Sequence, residues 1–514
     1  HARYREGYFN YEDSYDQDRS LVFIERMFDN IQLLGEHSFK KLNNSKIKWQ
    51  SSYAFMKQNE PDLRFFENLY DINGADTSFR TKTNDKPARY YRDISEINVS
   101  NRIDFEMPIN FDLLKFKLQL GLSADFKNRD LNDVKFELFS PSTTIPNGDI
   151  VGYLKNDVIS EDNYLGYFYS SDNYRNLNNS QSAYLRVLAG YIMFNFNLND
   201  KCRLVSGFRV DKSILHTEDK LPLNHILKDD VTKDYLNILP SLNLSYSLKE
   251  NMNFRFVYSK TLARPSFKEI GPSYYNFRNS ELITGNLNLK ISTINNVDLR
   301  WEYFFKQGEK ISFSGFYKYF NKPIEKKLAV DVNNREFVYT NSEPIQLYGI
   351  ELEFRKKLDF IVLLKDFILG GNFSLFKSEY KIPVEELASL RIGNPDRENT
   401  RPMQGQAPYI INSYLNYNNK RYKFDINVGF NVSGEKLVLI TQNGTPYGYE
   451  LARPALNCNL SKDIGNRLTV NFSIKNILDS EYAIVHHFNF EDRYYSKYTK
   501  GRLYAISFKM KINK

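Results

Sequence analysis

Residues 114–126 read Leu-Lys-Phe-Lys-Leu-Gln-Leu-Gly-Leu-Ser-Ala-Asp-Phe, and this stretch decides the kind of fold. Seven apolar positions alternate here with polar or very small residues, whereas a helix would place apolar residues three and four apart. Such alternation predicts an extended strand with one apolar face and one polar face. The same pattern recurs at 242–248, 422–432 and 468–474.

The alternating runs are long compared with the strands of soluble proteins. Several last about 9–13 residues, whereas globular strands usually stop near 5–6 residues and a tilted strand across a bilayer needs about 9–11. Hydrophobic residues make up only 41% of the 514, and no run of 18 apolar residues occurs, which excludes a helical membrane bundle. Aromatic residues reach 15%, which excludes intrinsic disorder. The sequence therefore favours strands with one face toward lipid and one toward water.

The connections between these runs fall into two lengths. Short turns are predicted at 42–45, 109–112, 197–200, 248–251, 306–309, 418–420 and 462–466. Long segments lie between them, at 57–96, 127–182, 262–292 and 379–406. Alternation alone would also fit a soluble sandwich, but short turns on one side and long loops on the other are typical of outer-membrane barrels. We therefore expect segments 274–288 and 382–401 outside the cell and the turn 306–309 in the periplasm.

The predicted fold is all-β, a transmembrane antiparallel β-barrel with about 17 strands in this chain. The strands are predicted at 31–41, 46–57, 98–109, 113–126, 183–197, 203–212, 236–248, 253–261, 293–305, 310–319, 346–356, 366–377, 407–417, 422–432, 452–461, 467–475 and 499–512. The first and the last strand both run toward the short turns, so the number of strands is odd. An odd number of antiparallel strands cannot close as a single-chain bacterial barrel, which has an even strand number. A barrel with the 22 strands of plugged transporters leaves about five strands outside residues 1–514. We therefore expect one barrel domain, 1–514, incomplete at its N-terminus and without a plug domain.

Several fragments carry a resemblance to a known family. They are Tyr-Ser-Lys-Thr-Leu-Ala-Arg-Pro-Ser-Phe at 258–267, Gly-Asn-Leu-Asn-Leu-Lys at 285–290, Asn-Val-Asp-Leu-Arg-Trp-Glu at 296–302, Ser-Phe-Ser-Gly-Phe-Tyr-Lys at 312–318, Tyr-Gly-Ile-Glu-Leu-Glu at 348–353, Lys-Asn-Ile-Leu-Asp at 475–479 and Gly-Arg-Leu-Tyr at 501–504. In this order and spacing they resemble the C-terminal barrel of TonB-dependent outer-membrane receptors. Asn-Glu-Pro-Asp-Leu-Arg at 59–64 fits the version common among Bacteroidota.

The resemblance implies an outer-membrane importer. A nutrient or chelate would bind the external loops, and a plug pulled by TonB through an N-terminal region would admit it. The implied surroundings are membrane lipid and lipopolysaccharide, with a surface lipoprotein or other outer-membrane subunits as further partners. The sequence departs from the family in two respects: no plug or TonB-binding segment can be found, and the C-terminal aromatic is replaced by Phe508-Lys-Met-Lys-Ile-Asn-Lys514.

No enzyme is predicted, because no phosphate-binding glycine loop, catalytic triad or Cys-His arrangement occurs; no cofactor and no metal site are expected. His486 and His487 are adjacent, and neighbours on an extended segment point in opposite directions, so an ordinary loop pair is favoured over metal ligands. Glu385 and Glu386 lack a calcium-loop spacing and are interpreted as solvated loop charges. Cys202 and Cys458 suggest neither a disulfide framework nor a zinc site.

Ligand-binding residues cannot be identified from the sequence. Tyr274, Tyr275 and Phe277 could stack on a sugar or peptide, although simple loop packing is the favoured interpretation. The formal charge of +8 comes from scattered basic residues, which argues against nucleic acid. Two alternatives stay open: a receptor-like barrel that serves as a structural subunit without transport, and a soluble multi-sheet adhesin, which leaves the loop asymmetry unexplained.

Overall fold

The computed structural model is almost entirely extended chain. It describes residues 2–9, 14–70, 79–81, 88–110, 115–139, 144–145, 166–169, 180–220, 230–271, 274–276, 281–329, 336–393, 395–441, 445–488 and 491–511. Within these residues, no helix combines the length and the apolar character needed to cross a membrane.

Nineteen strands of the described residues form the main antiparallel sheet, and we number them in chain order. They are β1 Ala2–Phe9, β2 Ser14–Leu21, β3 Glu25–Phe39, β4 Ser45–Tyr70, β5 Ala88–Asn110, β6 Lys115–Phe139, β7 Gln181–Asn197, β8 Cys202–Asp219, β9 Asp230–Lys249, β10 Met252–Ala263, β11 Ser292–Phe304, β12 Lys310–Asn321, β13 Ile345–Lys357, β14 Phe367–Lys381, β15 Tyr409–Asn419, β16 Phe424–Ser433, β17 Ala455–Ile464, β18 Leu468–Lys475 and β19 Leu503–Met510.

The sheet is a meander in which each strand from β3 to β19 pairs with the next. These are the predicted membrane strands, and the antiparallel order places every predicted short turn at one end. At the turn before β4, Asn43 and Asn44 adopt positive φ angles of 51° and 56°, which asparagine tolerates better than most residues. The long connections meet at the other end, as the loop asymmetry predicted.

The ladder register confirms the predicted separation of faces. One row across seven neighbouring strands is apolar: Phe254, Trp301, Phe313, Leu352, Phe373, Ile411 and Val432. The adjacent row is polar: Asn253, Glu302, Ser312, Glu353, Asn372, Asn412 and Asn431. The apolar row faces lipid and the polar row faces the lumen, because a membrane barrel exposes its greasy face outward.

Several strands extend well beyond their predicted ends. β4, β5 and β6 continue above the predicted membrane segments, so that parts of the predicted loops 57–96 and 127–182 are strand. Residues 2–21, which precede the first predicted strand, also contain strands, because β1 and β2 form a hairpin there and β2 pairs with the upper part of β4. These extensions carry polar residues on both faces, which is why membrane-type alternation does not reveal them.

The long loops contain their own short elements. The short strands are Phe79–Thr81, Thr144–Ile145, Gly166–Tyr169, Tyr274–Asn276, Glu281–Thr284, Ile324–Leu328, Glu336–Asn341, Thr400–Arg401, Lys436–Leu439, Gly448–Glu450, Tyr482–His487 and Asp492–Tyr498. An α-helix spans Val384–Gly393, and a 3₁₀ turn spans Val362–Leu364 at the short-turn end. The large buried side chains lie chiefly among these loop elements, in two clusters built around Ile345 and Phe337.

The two outermost parts of the sheet are open edges. Within the described residues, β19 pairs with β18 and not with β1 or β3. Every side chain of β19 is exposed, as are nearly all those of β3. Cys202 and Cys458 are both free and half-buried, and each lies opposite an apolar-face residue, Tyr246 and Val428 respectively.

Candidate functional site

The described parts of the long loops in the C-terminal half form one packed body, which we call the outer cluster and define as residues 322–329, 336–344, 382–393, 395–408, 434–441, 445–454, 476–488 and 491–502. It contains strands of two small sheets, one with Ile324–Leu328 and Glu336–Asn341 and the other with Lys436–Leu439, Gly448–Glu450, Tyr482–His487 and Asp492–Tyr498. The two sheets meet where Lys327 bridges Ile440. Leu437, Ile440 and Tyr447 are fully buried in its core. This body stands at the end of the barrel where an external ligand would arrive.

An ion pair lies at the centre of the outer cluster. The Arg401 guanidinium donates to both carboxylate oxygens of Glu325, with Nη1–Oε1 at 3.0 Å and Nη2–Oε2 at 2.7 Å. Both side chains are almost completely buried, with exposures of 0% and 1%. Burial by itself would raise the pKa of the Glu325 carboxyl, but the hydrogen bonds and charge of Arg401 lower this pKa below its usual value.

Aromatic rings complete the surroundings of Arg401. Its guanidinium carbon lies 3.8 Å from the ring centroid of Tyr380 and 6.0 Å from that of Tyr447. Such cation–π contacts strengthen when water is excluded. Burial raises the pKa of the Tyr380 hydroxyl to about 12, so the ring stays neutral. The pair is therefore a structural fastening with fixed geometry rather than an exposed ligand site.

Gln404 joins the two small sheets through backbone hydrogen bonds. Its side-chain nitrogen donates to the carbonyls of Lys326, at 2.8 Å, and Val438, at 2.9 Å. Its side-chain oxygen accepts from the Lys326 N–H at 2.8 Å. A single half-buried glutamine thus links segments 78 and 34 residues away in the chain, and a polar network whose hydrogen bonds are satisfied in this way favours one arrangement.

Glu386 corrects one expectation from the sequence. Its carboxylate accepts from Lys327 Nζ at 3.1 Å and from the Tyr447 hydroxyl at 3.0 Å. Its side chain is only 11% exposed, so it is a buried ion-pair partner and not a solvated loop charge. Glu385, the preceding residue, is exposed as predicted.

A second set of ion pairs stiffens the upper ends of β4, β5 and β6. Arg92 donates to Asp133 at 2.8 Å and to Glu60 at 3.3 Å, and all three side chains are largely buried. Nearby, Asp62 accepts from Arg64 and Arg89, each at 2.7 Å. The strand extensions above the membrane therefore form walls joined by ion pairs as well as by the strand ladder.

Positive charge accumulates on the inner side of these walls. Phe267 and Ile270 pack on Ala183 and Leu215, which places the segment 265–271 against the inner face of β7 and β8. Arg129 is the ladder partner of Ala183 and lies close to Lys268. Burial lowers the pKa of the Lys268 ammonium, and the charges of Lys326 and Arg129 lower it further. We call Lys268, Lys326 and Arg129 the basic group.

The two adjacent histidines have separate partners. His486 Nδ1 lies 2.7 Å from the Pro446 carbonyl, while His487 lies between Asp492 Oδ1 at 2.7 Å and Glu435 Oε1 at 3.0 Å. The strand therefore directs them apart, as the spacing predicted. Within the described residues, no group of three potential ligands converges on a metal position.

The aromatic candidates are only partly covered by the structure. Tyr274 and Tyr275 belong to the short strand Tyr274–Asn276, which pairs with Glu281–Thr284 beside the outer cluster. Phe277 lies outside the described residues. Ligand stacking by these rings stays a prediction.

Two cavities of about 580 and 540 Å³ lie elsewhere, on the apolar face of β5 to β8. Their walls include Ile103, Leu122 and Val210, which the ladder register places with the lipid-facing side chains. These cavities face the bilayer and are separate from the loop surfaces that would meet an external ligand.

Comparison with known proteins agrees with this architecture. Residues 2–477 match the profile of the family described as TonB dependent receptor-like, beta-barrel. The chain belongs to the TonB-dependent receptor β-barrel family. Members of this family are outer-membrane transporters and not enzymes. No curated protein sequence matches the chain.

Solved receptors of this kind share the fold at low sequence identity. The pyoverdine outer membrane receptor of Pseudomonas aeruginosa has a TM-score of 0.61 at 13% identity, covering 97% of this chain and 68% of the receptor. The ferric-catecholate import receptor of E. coli has a TM-score of 0.56 at 10% identity, with coverages of 97% and 74%. The ferric yersiniabactin uptake receptor of Yersinia pestis has a TM-score of 0.53 at 11% identity, with coverages of 97% and 71%.

Proposed function

We propose that this chain forms the barrel of an importer that binds its ligand at the outer loops and takes it up with energy from TonB. The observation that carries the proposal is the outer cluster, a preorganised body on a barrel of the TonB-dependent receptor family. A fixed loop body reduces the entropy lost when a ligand binds. The buried pair of Arg401 and Glu325 supports this use, since it keeps the loop elements in one arrangement.

We infer further that the ligand is a negatively charged chelate. The basic group brings three positively charged side chains near one another on the inner side of the walls, with Glu269 also close to Lys268, and such a concentration of positive charge attracts anions over a distance. The three solved receptors compared above take up or bind pyoverdine, a ferric catecholate and ferric yersiniabactin according to their descriptions. Their likeness to this chain concerns the fold, so the ligand class rests on the charges of Lys268, Lys326 and Arg129.

Within the described residues, the sheet has two edges without a pairing strand. Unpaired backbone groups in lipid cost several kcal/mol each, and β3 and β19 leave such groups along two edges. We propose that additional strands, to a total of 22, join these edges and that a plug domain fills the lumen. The mass of the subunit in purified outer membranes tests this.

The surroundings of the barrel form part of the same proposal. Family membership implies contact with outer-membrane lipid and with TonB. We propose lipopolysaccharide and a surface lipoprotein as further partners, and a receptor of the type common among Bacteroidota. The only support for the last point is the sequence of the segment 59–64, which resembles the version of the family common among Bacteroidota.

Uptake by whole cells tests the transport proposal. A strain lacking the gene is complemented with the complete protein and supplied with a panel of iron chelates as the sole iron source. We expect growth on at least one anionic chelate, and no growth when TonB is also deleted. The substitution Lys268→Gln should weaken uptake roughly tenfold to a hundredfold, because a charge-assisted hydrogen bond contributes about 1.5–3 kcal/mol.

Lys306→Gln is the matched control, since Lys306 is an exposed cation at the opposite end of the barrel and should leave uptake unchanged. Uptake that survives TonB deletion would contradict the energised mechanism. Complete absence of uptake, with a partner retained on purification, would instead support the structural-subunit alternative.

A further inference from the structure

The turn 358–366, between β13 and β14, carries an unusual apolar surface at the short-turn end of the barrel. Phe360, Ile361, Val362 and Leu363 follow one another and have exposures of 68%, 42%, 84% and 91%. Consecutive apolar residues are rarely left in water unless they serve an interaction. We call Phe360–Leu363 the apolar turn.

The apolar turn has a defined backbone conformation. The N–H of Leu358 donates to the Phe367 carbonyl at 2.9 Å, which closes the strand pair below the turn. The Ile361 N–H donates to Leu358 at 3.1 Å, and the Leu364 N–H donates to Ile361 at 2.8 Å. These bonds hold a 3₁₀ turn in which no side chain is buried. Its apolar residues are therefore presented outward by an ordered backbone.

Neighbouring short turns differ in character. The turn 306–309 reads Lys-Gln-Gly-Glu, and the turn 420–423 reads Lys-Arg-Tyr-Lys. Both lie at the same end of the sheet as the apolar turn. The neighbouring turns thus expose mainly polar residues to the periplasm, so the apolar composition of 358–366 is specific to this turn.

The base of the apolar turn continues the lipid-facing surface of the barrel. Lys356 lies opposite Leu369, which in turn lies opposite Leu415 on the apolar face. Lys356 Nζ is 4.7 Å from the Phe305 ring centroid. On the other side, the rings of Phe367 and Tyr417 are 4.8 Å apart. Aromatic rings at such strand ends mark the membrane–water boundary.

Charges around the apolar turn also fit a lipid surface. Lys357 and Lys365 flank it, whereas Lys356 is paired with Glu309 at 2.6 Å and the two carboxylates of the turn are also engaged. Asp359 pairs with Lys306 at 3.5 Å, and Asp366 accepts from Asn419 at 3.5 Å. Apolar residues bordered by lysines are the composition of segments that lie in the headgroup region of anionic membranes.

We propose that the apolar turn inserts into the periplasmic leaflet of the outer membrane and that the flanking lysines bind the phosphates of anionic phospholipids. The inserted turn fixes this side of the barrel at a defined depth. The inference depends on the barrel and its orientation and is independent of what the protein transports.

Spin labels on the complete outer-membrane subunit test the insertion. Cys202 and Cys458 are first replaced by serine, and a nitroxide is attached to Leu363→Cys or to the control Gln307→Cys. The proteins are reconstituted in phosphatidylethanolamine vesicles with and without phosphatidylglycerol. Oxygen partitions into lipid and a nickel chelate into water, so the ratio of their collision rates reports depth.

At position 363 we expect oxygen accessibility to exceed nickel accessibility severalfold in vesicles containing phosphatidylglycerol, and the reverse at position 307. The Lys357→Gln/Lys365→Gln pair should lower this ratio in those vesicles and leave it unchanged without phosphatidylglycerol. A label at 363 as accessible to nickel as the label at 307 would overturn the proposal. A label shielded from both reagents would overturn it in favour of a protein partner. Heat-dependent gel mobility verifies that each variant has folded.

Discussion

Asn427 and Asn416 face each other across the ladder of β16 and β15, and the side-chain amide of Asn427 donates a hydrogen bond to the side-chain carbonyl of Asn416. The next residue, Val428, lies opposite Leu415 on the other face of the same strands. The side chains of these two neighbouring residues thus have different surroundings: Asn427 faces the water-filled lumen and Val428 faces lipid.

Arginine at these two positions should therefore have unequal effects. Val428→Arg places a charge in the middle of the lipid face and should lower the free energy of unfolding by about 2–4 kcal/mol. Asn427→Arg should cost far less, because water in the lumen solvates the guanidinium. Urea-dependent unfolding of the complete protein in lipid vesicles measures both. Equal losses for the two variants would reject the assignment of the faces.

The orientation of the barrel predicts which positions are reachable from outside the cell. Glu385 is exposed on the helix Val384–Gly393 in a long loop, and the short turn 306–309 contains Gln307. In a background without native cysteines, Glu385→Cys should react with a membrane-impermeant thiol reagent on intact cells. Gln307→Cys should react only after the cells are broken. The opposite result would invert the topology.

The membrane part of this fold could be predicted from the sequence because it follows a local rule. Alternation between lipid and water constrains every second residue, so the pattern at 114–126 reveals both the strand and its faces. The turns follow from local chemistry as well, as at Asn43 and Asn44. Neither inference needs knowledge of residues distant in the chain.

The outer cluster could not be predicted in this way, because its contacts join distant segments. Glu386 looks like a solvated charge in the sequence, and its partner Lys327 is 59 residues away. Arg401 and Glu325 are separated by 76 residues, and nothing local distinguishes them from other loop charges. Arg92 and Asp133 are paired because the strands extend further than alternation indicates. Ion pairs of this kind become visible only with the tertiary structure.

Removal of Arg401 should loosen the outer cluster without unfolding the barrel. Arg401→Met leaves the buried carboxylate of Glu325 without its guanidinium, a change that typically costs about 3–5 kcal/mol. Hydrogen exchange should accelerate in the strands Ile324–Leu328 and Lys436–Leu439, whereas exchange in β11 to β16 should stay slow. The measurement is mass spectrometry of the exchanged protein in lipid.

Two variants make this test specific. Arg401→Met combined with Glu325→Gln removes the buried charge and should recover part of the lost protection. Arg391→Met removes an exposed arginine whose Nη2 donates to the Arg397 carbonyl at 3.1 Å, and it should change little. If Arg401→Met exchanges like the native protein, the ion pair does not hold the loops together.

Because of His487, the stability with which the last hairpin is attached to the rest of the outer cluster should depend on pH. The hairpin Tyr482–His487 and Asp492–Tyr498 is connected to the end of β16 through His487, whose ring nitrogens contact Asp492 and Glu435 and whose ring lies 5.4 Å from that of Tyr449. Burial would lower the pKa of this imidazole, but the two carboxylates outweigh it and raise the pKa above the usual value. Only the imidazolium can donate hydrogen bonds to both carboxylates.

The sign of the pH effect follows from the raised pKa. The stabilisation of the hairpin by charged His487 is fully present below the pKa of histidine in the unfolded chain, about 6.5. It is lost as the pH rises through the pKa of His487 in the folded protein. Hydrogen exchange in the hairpin should therefore accelerate, beyond its intrinsic pH dependence, as the pH rises through that range. His487→Gln should remove this extra dependence, and Asp492→Asn should shift it to lower pH because one of the two carboxylates is gone. A titration of the His487 ring with a midpoint at or below 6.5 in the native protein would show that the carboxylates do not hold the charged form.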